Sequence, residues 1–425
     1  MSPDPFATGP FADVIVVGAG SAGCVVADRL AREGTVLLLD AGPATPPPSA
    51  VTSLRALPVG PGSTRVVRYR DERGRDVVRG RGIGGSSAVN GGYFLRGHRA
   101  DYRGWPWPAE AVADAFTAAE RMMRVSAFAD AELGTVARAF DAHWAPRGRA
   151  AEGPWTAVGL NRVRSNRVAG HRMTADRAYL GRPRRSVRVH GDAAVVGLEM
   201  RGDRVTGVRT SAGTLRAGRV VLTAGALGTA ALLTPILGTL AIREHPEHLV
   251  RFEPRRAITA PALLQSVVHT ADGLELRCYG DDFAAFIDGV APTGVPVGVA
   301  DLGAATTGSV RASPAGLRVD LGVPDDESAE RIGRGVAAVV EMLASPAFAD
   351  LVRPGSIRVD AMTGLSSHAW GTLPAGVATD AAGAVPGIDG LHVADGSVLP
   401  GPLHAGPHAT IVAVASLVAD RIAAG

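Results

Sequence analysis

The 425-residue sequence contains no lysine. Every permanent cation is therefore an arginine, and two chemistries fall away: a Schiff base to pyridoxal phosphate or a substrate carbonyl, and the phosphate-binding lysine of a P-loop. Cysteine is almost as scarce, with Cys24 and Cys278 alone. That pair gives no disulfide framework and no zinc-ligand spacing, so no metal site is expected. Cys24 falls on the inner turn of a predicted helix, where a small apolar side chain suits close packing. An excess of one charge is lacking too. The net charge is +3 and the arginines are scattered among acids, which argues against a nucleic-acid partner. The nearest approach to a basic patch, Arg182-Pro183-Arg184-Arg185, reads as a solvated turn. The N-terminus lacks a basic segment followed by an apolar one, so no signal peptide is expected and the chain reads as cytoplasmic. One long uncharged run, Val220 to Ile242, has the length of a bilayer span. Its three glycines, Pro235 and four threonines favour a buried strand over 219–223, a glycine turn and a short helix. Peripheral contact with the inner face of a membrane is the membrane expectation that survives.

What is present begins with DVIVVGAGSAGCVVADRLAREGTVLLLDAG, Asp13 to Gly42. The β-branched run Val14–Val17 is short and bounded by glycine, as a strand buried on both faces should be. Gly18, Gly20 and Gly23 supply a tight turn, close approach of backbone to a pyrophosphate, and tight packing of helix on strand. A helix from Ala22 to Glu33 then aims its N-terminal N–H groups at the phosphates. Asp40, 20 residues after Gly20, ends the strand Val36–Leu39, where a carboxylate accepts hydrogen bonds from ribose hydroxyls. That points to a dinucleotide with a free 2′-hydroxyl and away from NADP.

At this length two domains are expected. Arg65 to Asp76 reads as a polar hairpin. The spacing of Val112, Ala115, Phe116, Ala119 and Met122 predicts a surface helix within 107–125. Residues 186–223 read as a β-meander returning to the nucleotide-binding sheet, with turns at Gly191-Asp192, Arg201-Gly202-Asp203 and Ser211-Ala212-Gly213. Segments 267–286 and 295–322 read as further strands, turned at Ala271-Asp272-Gly273 and Ala315-Gly316. Asp326 to Leu343 predicts an amphipathic helix with acids in its first turn. A buried parallel strand over Leu391–Ala394 and a helix from about Ala409 return the chain to the first domain.

A second glycine loop follows in Arg79–Gly92, whose glycines let backbone lie flat against a ligand while Ser86 and Asn90 offer polar contacts. DVIVVGAGSAG, RGRGIGGSSAVNGGYFLRG, VVLTAGALGTAALL, SSHAWGT and GLHVADGSVLPGPLHAGPHAT, in that order, resemble the glucose-methanol-choline (GMC) oxidoreductases from residue 13 to the C-terminus. These are FAD-dependent enzymes that oxidise alcohols. The resemblance implies an α/β fold: a Rossmann-like FAD-binding domain over 1–100, 185–242 and 379–425, and a substrate domain over 101–184 and 243–378 built on an antiparallel sheet flanked by helices. Within the family, NGGYF, REHPEHLV, HTADGLELRCYGDDFAAF and GPHATIV are most similar to members serving the mycofactocin system. That implies the reduced form of mycofactocin as substrate and a respiratory-chain electron acceptor.

By motif position, the resemblance implies that Gly18, Gly20, Ser21, Gly23 and Asp40 hold the ADP half of FAD. Gly85, Ser86, Asn90, Gly91, Gly92 and Tyr93 would line the isoalloxazine and pyrophosphate, Val195 would meet the adenine through its backbone, and Asp395-Gly396 the ribityl or phosphate region. Covalently flavinylated members carry a histidine where this chain has Val89, so non-covalent FAD is expected. His368, within SSHAWGT, is assigned as the base that takes the hydroxyl proton while carbon-bound hydride moves to the flavin, a role suited to an imidazole at neutral pH. His408 is assigned alkoxide stabilisation or substrate orientation. Relatives reading NPNAT place a catalytic asparagine where this chain has Gly406, with His404 as a substitute. His245, matching the family's DHP motif, reads as structural. The segment between Ser126 and Arg167 lacks the family's GPI-type stretch, which suggests a trimmed lid and a bulky substrate. The alternatives are an oxidase or dehydrogenase of small alcohols using O2 or a quinone, and a non-catalytic flavin-binding electron relay needing neither histidine. An NAD-dependent dehydrogenase shares only the first glycine motif.

Overall fold

The computed structural model describes residues 12–182 and 186–425; of the basic turn anticipated above, residues 183–185 lie outside that range. The β-branched opening run forms strand Ala12–Val17, buried along nearly all its length. It pairs in parallel with Val36–Leu39 on one side and Gly213–Leu222 on the other. Val187–His190 extends the sheet beyond the former, and Leu391–Val393 pairs in parallel with the latter. Val17, Leu39, Leu222, His190 and Val393 therefore end side by side, since Val17 is in register with Leu39 and Leu222, Leu39 with His190, and Leu222 with Val393. Ligands of such sheets sit at the carboxyl ends of the strands.

The meander expected over 186–223 is antiparallel from Val195 to Arg216, whereas the rest of strand Gly213–Leu222 and Val187–His190 belong to the parallel sheet. The uncharged run resolves into the end of strand Gly213–Leu222, helix Gly225–Leu237 and strand Leu240–Glu244. Among the described residues no helix is long and apolar enough to cross a membrane. The first helix spans Ser21–Leu30, shorter than the sequence suggested, because the chain turns over 31–34 before its next strand. It packs against the C-terminal helix His408–Ala424. Helix Ala109–Met122 also packs there and buries Val112, Ala115, Phe116 and Ala119 in the first core. That departs from the expected assignment of 101–184 to the substrate domain. Met123, fully buried just past the helix, takes the core position expected for Met122, which is 38% exposed.

The second sheet is antiparallel. Its central order is Pro246–Phe252, Val295–Asp301, Leu274–Tyr279, Leu264–His269 and Gly159–Arg162. Period-2 alternation in Leu274–Tyr279 turns Leu274, Leu276 and Cys278 into a core shared with Ile332, Val339 and Met342 of helix Asp326–Leu343. Glu275, Arg277 and Tyr279 consequently face the other way. Strand Leu240–Glu244 belongs to a third, small sheet with Thr306–Ser313 and Gly316–Asp320. The chain changes sheets at His245-Pro246, a corner where a proline is tolerated at a strand start.

Candidate active site

The two glycine loops touch backbone to backbone. Gly18 adopts φ +102°, a conformation that favours glycine. A Cβ on Gly23 would lie 1.8 Å from the Gly18 carbonyl oxygen, and one on Gly85 2.6 Å from Gly20 Cα. The Gly84 N–H donates to Ala19 O at 2.9 Å. Asp40 ties the loops together by accepting from the N–H groups of Ala19, Gly42 and Gly82, each at 2.8 Å. Much of the carboxylate's acceptor capacity is thus spent on backbone. Helix Ser21–Leu30 has neither a capping side chain nor an acid in its first turn, which leaves its N-terminal N–H groups and positive dipole end for an anion. Val195 opens the next strand opposite Thr210, beside a small cleft lined by Leu39, His190, Gly191, Asp192 and Ala193. The uncapped helix end suits a dinucleotide pyrophosphate. Val89 is 4% exposed and offers no nucleophile for a covalent flavin link.

His408 serves as a buckle between the loops. The Asn90 Nδ2 group donates to its Nδ1 at 3.2 Å, and its Nε2 lies 3.2 Å from Ser21 Oγ. Phe94 packs edge-on at 5.0 Å. Both ring nitrogens are thus engaged by cradle residues. Asn90 Oδ1 accepts from Gly92 N at 2.9 Å, so the side chain also sets the glycine turn. Behind it lies Arg172, 1% exposed, whose guanidinium donates to the carbonyls of Asn90, Val51, Ser53 and Ala56. Ser86 Oγ accepts from Gly80 N at 3.0 Å and Gly91 abuts Leu263, so both support the loop's shape. Asp395 departs from expectation. Its buried carboxylate accepts from Gly225 N, Thr229 Oγ1 and Ser397 N at 2.6–2.8 Å, so it is spent on protein groups.

His368 sits on the far side of the second loop. A Cβ on Gly406 would lie 3.1 Å from His368 Nε2 and 3.5 Å from Tyr93 Cδ1. The family's second catalytic position is therefore a bare backbone directly against this imidazole. Ser367 adopts φ +60°, a strained conformation for a non-glycine residue, and Glu244 holds it. The fully buried Glu244 carboxylate accepts from the N–H groups of His245, His368 and Ala369 at 2.7–2.9 Å, with the Arg79 guanidinium 4.0 Å away. His245 Nδ1 is 3.0 Å from His368 Nδ1. Burial, reinforced by the charge of Arg277, pushes the pKa values of His368 and His245 well below that of a free imidazole.

The wall beside His368 is a buried polar array. Tyr93 donates to Glu275 Oε2 at 2.5 Å, and Arg277 bridges Glu275, Glu247 and Ser366 at 2.5–2.9 Å. Tyr279 donates to Glu247 Oε1 at 2.8 Å. Burial alone would raise Glu275, yet Arg277 and then His269 hold its carboxyl far below the usual range. From Glu275 the array runs through His269 to His98, in steps of 2.8 Å. The His98 ring stacks on His404 at 4.3 Å, and His404 Nδ1 is 2.7 Å from Asp101 Oδ1. His404 is thereby tied to Asp101 rather than placed at the vacant Gly406 position. Tyr93, expected at the flavin, sends its hydroxyl into this wall. Sequence reasoning missed Glu244, Glu247, Glu275, Arg277 and His269. The pattern that could have found them is charge recurring at every second residue in strands with no solvent face to give it.

Burial lowers the pKa values of both His98 and His408 to about 4. A folded value below the unfolded one, about 6.5, means the unfolded chain binds more protons between the two. Stability from these neutral rings is complete above pH 6.5 and declines as pH falls toward 4. The flavin-free protein should therefore melt at a lower temperature at pH 4.5 than at pH 7. In His408→Asn that difference should shrink; an unchanged difference would remove His408 from the account.

Two family models, both described as GMC oxidoreductase, match residues 12–235 and 305–415. An uncharacterized GMC-type oxidoreductase of Rhodococcus erythropolis is 29% identical over 95% of this chain and 97% of its own length. An alcohol dehydrogenase [acceptor] of Pseudomonas putida is 37% identical over 22% of this chain and 18% of its own. Among solved structures, pyridoxine 4-oxidase from Mesorbium loti superposes with a TM-score of 0.79 at 22% identity, covering 96% of this chain and 98% of its own. Formate oxidase gives 0.82 at 18%, covering 98% and 99%.

Proposed function

Because this chain belongs to the GMC oxidoreductase family, and so is an FAD-dependent oxidoreductase acting on CH–OH groups, we propose that its alcohol is the reduced form of mycofactocin and that its electrons pass to a respiratory-chain acceptor. The supporting observation is where the characteristic stretches meet. REHPEHLV supplies Glu244, His245 and Glu247; HTADGLELRCYGDDFAAF supplies His269, Glu275, Arg277 and Tyr279; GPHATIV supplies Gly406. All converge on His368 through the contacts described above. The stretches that carry the resemblance to mycofactocin-system members are thus ones that build the wall beside His368.

FAD, bound non-covalently, supplies the hydride acceptor. The two glycine loops and helix Ser21–Leu30 hold it, buckled by His408 and Asn90. His368, kept neutral by burial, takes the hydroxyl proton at Nε2 as the hydride leaves the carbinol carbon. The buried polar wall orients hydroxyl-rich substrate against that nitrogen with donors and acceptors already fixed in place. A trimmed lid over 126–167 would admit a bulky substrate.

The test is anaerobic mixing of the yellow holoenzyme with reduced mycofactocin and, separately, with a series of simple alcohols, following flavin absorbance. Bleaching by reduced mycofactocin, with small alcohols slow or inert, is expected. Rates that rise as the alcohols become smaller would overturn the reading. Peroxide appearing in air as fast as the flavin is reduced would mark an oxidase instead.

A further inference from the structure

His245 reads from sequence as structural, yet its ring meets the proposed base at close range. His245 Nδ1 is 3.0 Å from His368 Nδ1, with the rings at 89° and their centroids 5.2 Å apart. Two Nδ1 atoms in hydrogen-bond contact share one hydrogen between them. Which ring owns it fixes the state of the other nitrogen of His368, the Nε2 that faces Gly406. If His368 owns it, Nε2 is a bare lone pair able to take a proton. If His245 owns it, a neutral His368 carries its hydrogen on Nε2 and is no base at all.

We propose that His245 is a positioning residue that accepts the His368 Nδ1–H and so holds His368 in the tautomer with a bare Nε2. The assignment rests on the reading of His368 as the base. Two observations support it and a third sets its cost. Both rings are neutral near pH 7, since burial and the charge of Arg277 disfavour the imidazolium in each. The His245 ring is immobile: it is fully buried, packed against Trp370 at 4.3 Å, and its peptide N–H is fixed by Glu244. Lastly, His245 Nε2 is buried with no hydrogen-bond partner among the described residues. In the proposed tautomer that nitrogen bears an unpaired buried N–H, a cost set against the tautomer, so its direction follows from the base role of His368. During turnover the alcohol O–H bond breaks and its proton goes to His368 Nε2, while the carbon-bound hydrogen leaves with its electron pair to the flavin. His368 then holds two protons, its Nδ1–H still bonded to His245.

Long-range proton–nitrogen correlation spectra of the nitrogen-15-labelled holoenzyme read the tautomer directly. The His368 resonances are identified as those lost in His368→Asn. They should show the proton on Nδ1; a proton on Nε2 would overturn the proposal without recourse to any variant at 245. In His245→Phe the proton should move to Nε2 and flavin reduction by alcohol should slow about ten- to a hundred-fold, the usual effect of losing an orienting partner. His245→Asn, which keeps an acceptor, should recover much of that rate. If the proton lies on Nδ1 but His368→Ala reduces flavin at the unaltered rate, the base reading fails and takes the positioning role with it; a proton on Nε2 together with a large loss in His368→Ala fails the positioning assignment alone.

Discussion

In a His368→Ala variant, alcohol-driven flavin bleaching falls by about 10²–10⁴-fold, the range a positioned general base contributes. The flavin itself stays bound, because the His368 side chain makes none of the contacts that join the two glycine loops; those run through Asp40, His408 and Asn90. The measurement is the anaerobic reduction rate at saturating substrate, with absorbance confirming full flavin content. A loss below about ten-fold would be too small for a group that accepts the reacting proton, and it would favour the electron-relay alternative, for which neither histidine is needed. Full loss together with loss of colour would point to a collapsed cradle rather than to the chemistry.

The second large effect belongs to Glu244. Its buried carboxylate accepts from three backbone N–H groups and faces the partly buried Arg79. In Glu244→Ala the three donors and the guanidinium lose their partner together. Removing one member of a buried charge pair costs about 3–5 kcal/mol, and the orphaned N–H groups add to it. Burial raises the Glu244 pKa, so part of the interaction is already offset by desolvation, and the lower end of that range is the expected value. A marked drop in melting temperature and loss of alcohol activity should appear together, since the same carboxylate holds Ser367 at φ +60° and the His368 N–H. Retention of both would show that the loop around His368 keeps its shape without Glu244.

What could be read from the sequence divides along physical lines. The glycine loops were legible because their function rests on backbone: Gly18, Gly23 and Gly85 stand where a Cβ would strike other main-chain atoms, and glycine spacing records that requirement directly. Helix Asp326–Leu343 matched its anticipated bounds because its apolar stripe and acidic first turn act locally. The polar wall was not legible. Alternation in Leu274–Tyr279 announces a strand with one apolar face, but nothing local says that the polar face is roofed by another domain rather than by water. The same blindness affected His408 and Asp395. Motif position located both, but their partners, Ser21 and Thr229, come from distant segments, and those partners decide what an imidazole or a carboxylate is free to do. Met122 and Met123 differ by one position of helical phase, which decides which thioether is buried.

The interleaving of the chain has a consequence for biosynthesis. The parallel sheet takes its strands from residues 12–39, 187–222 and 391–393, and the last helix both packs on the first and hydrogen-bonds it through His408 and Ser21. A nascent polypeptide that has left the ribosome as far as residue 390 lacks one strand and the helix that closes the nucleotide cradle. Contacts of such sequence separation form late, since the loop-closure entropy must be met before they reward it. Loading of the coenzyme is accordingly an event of the finished chain, and exposed apolar strands must be shielded until the final turn of helix docks.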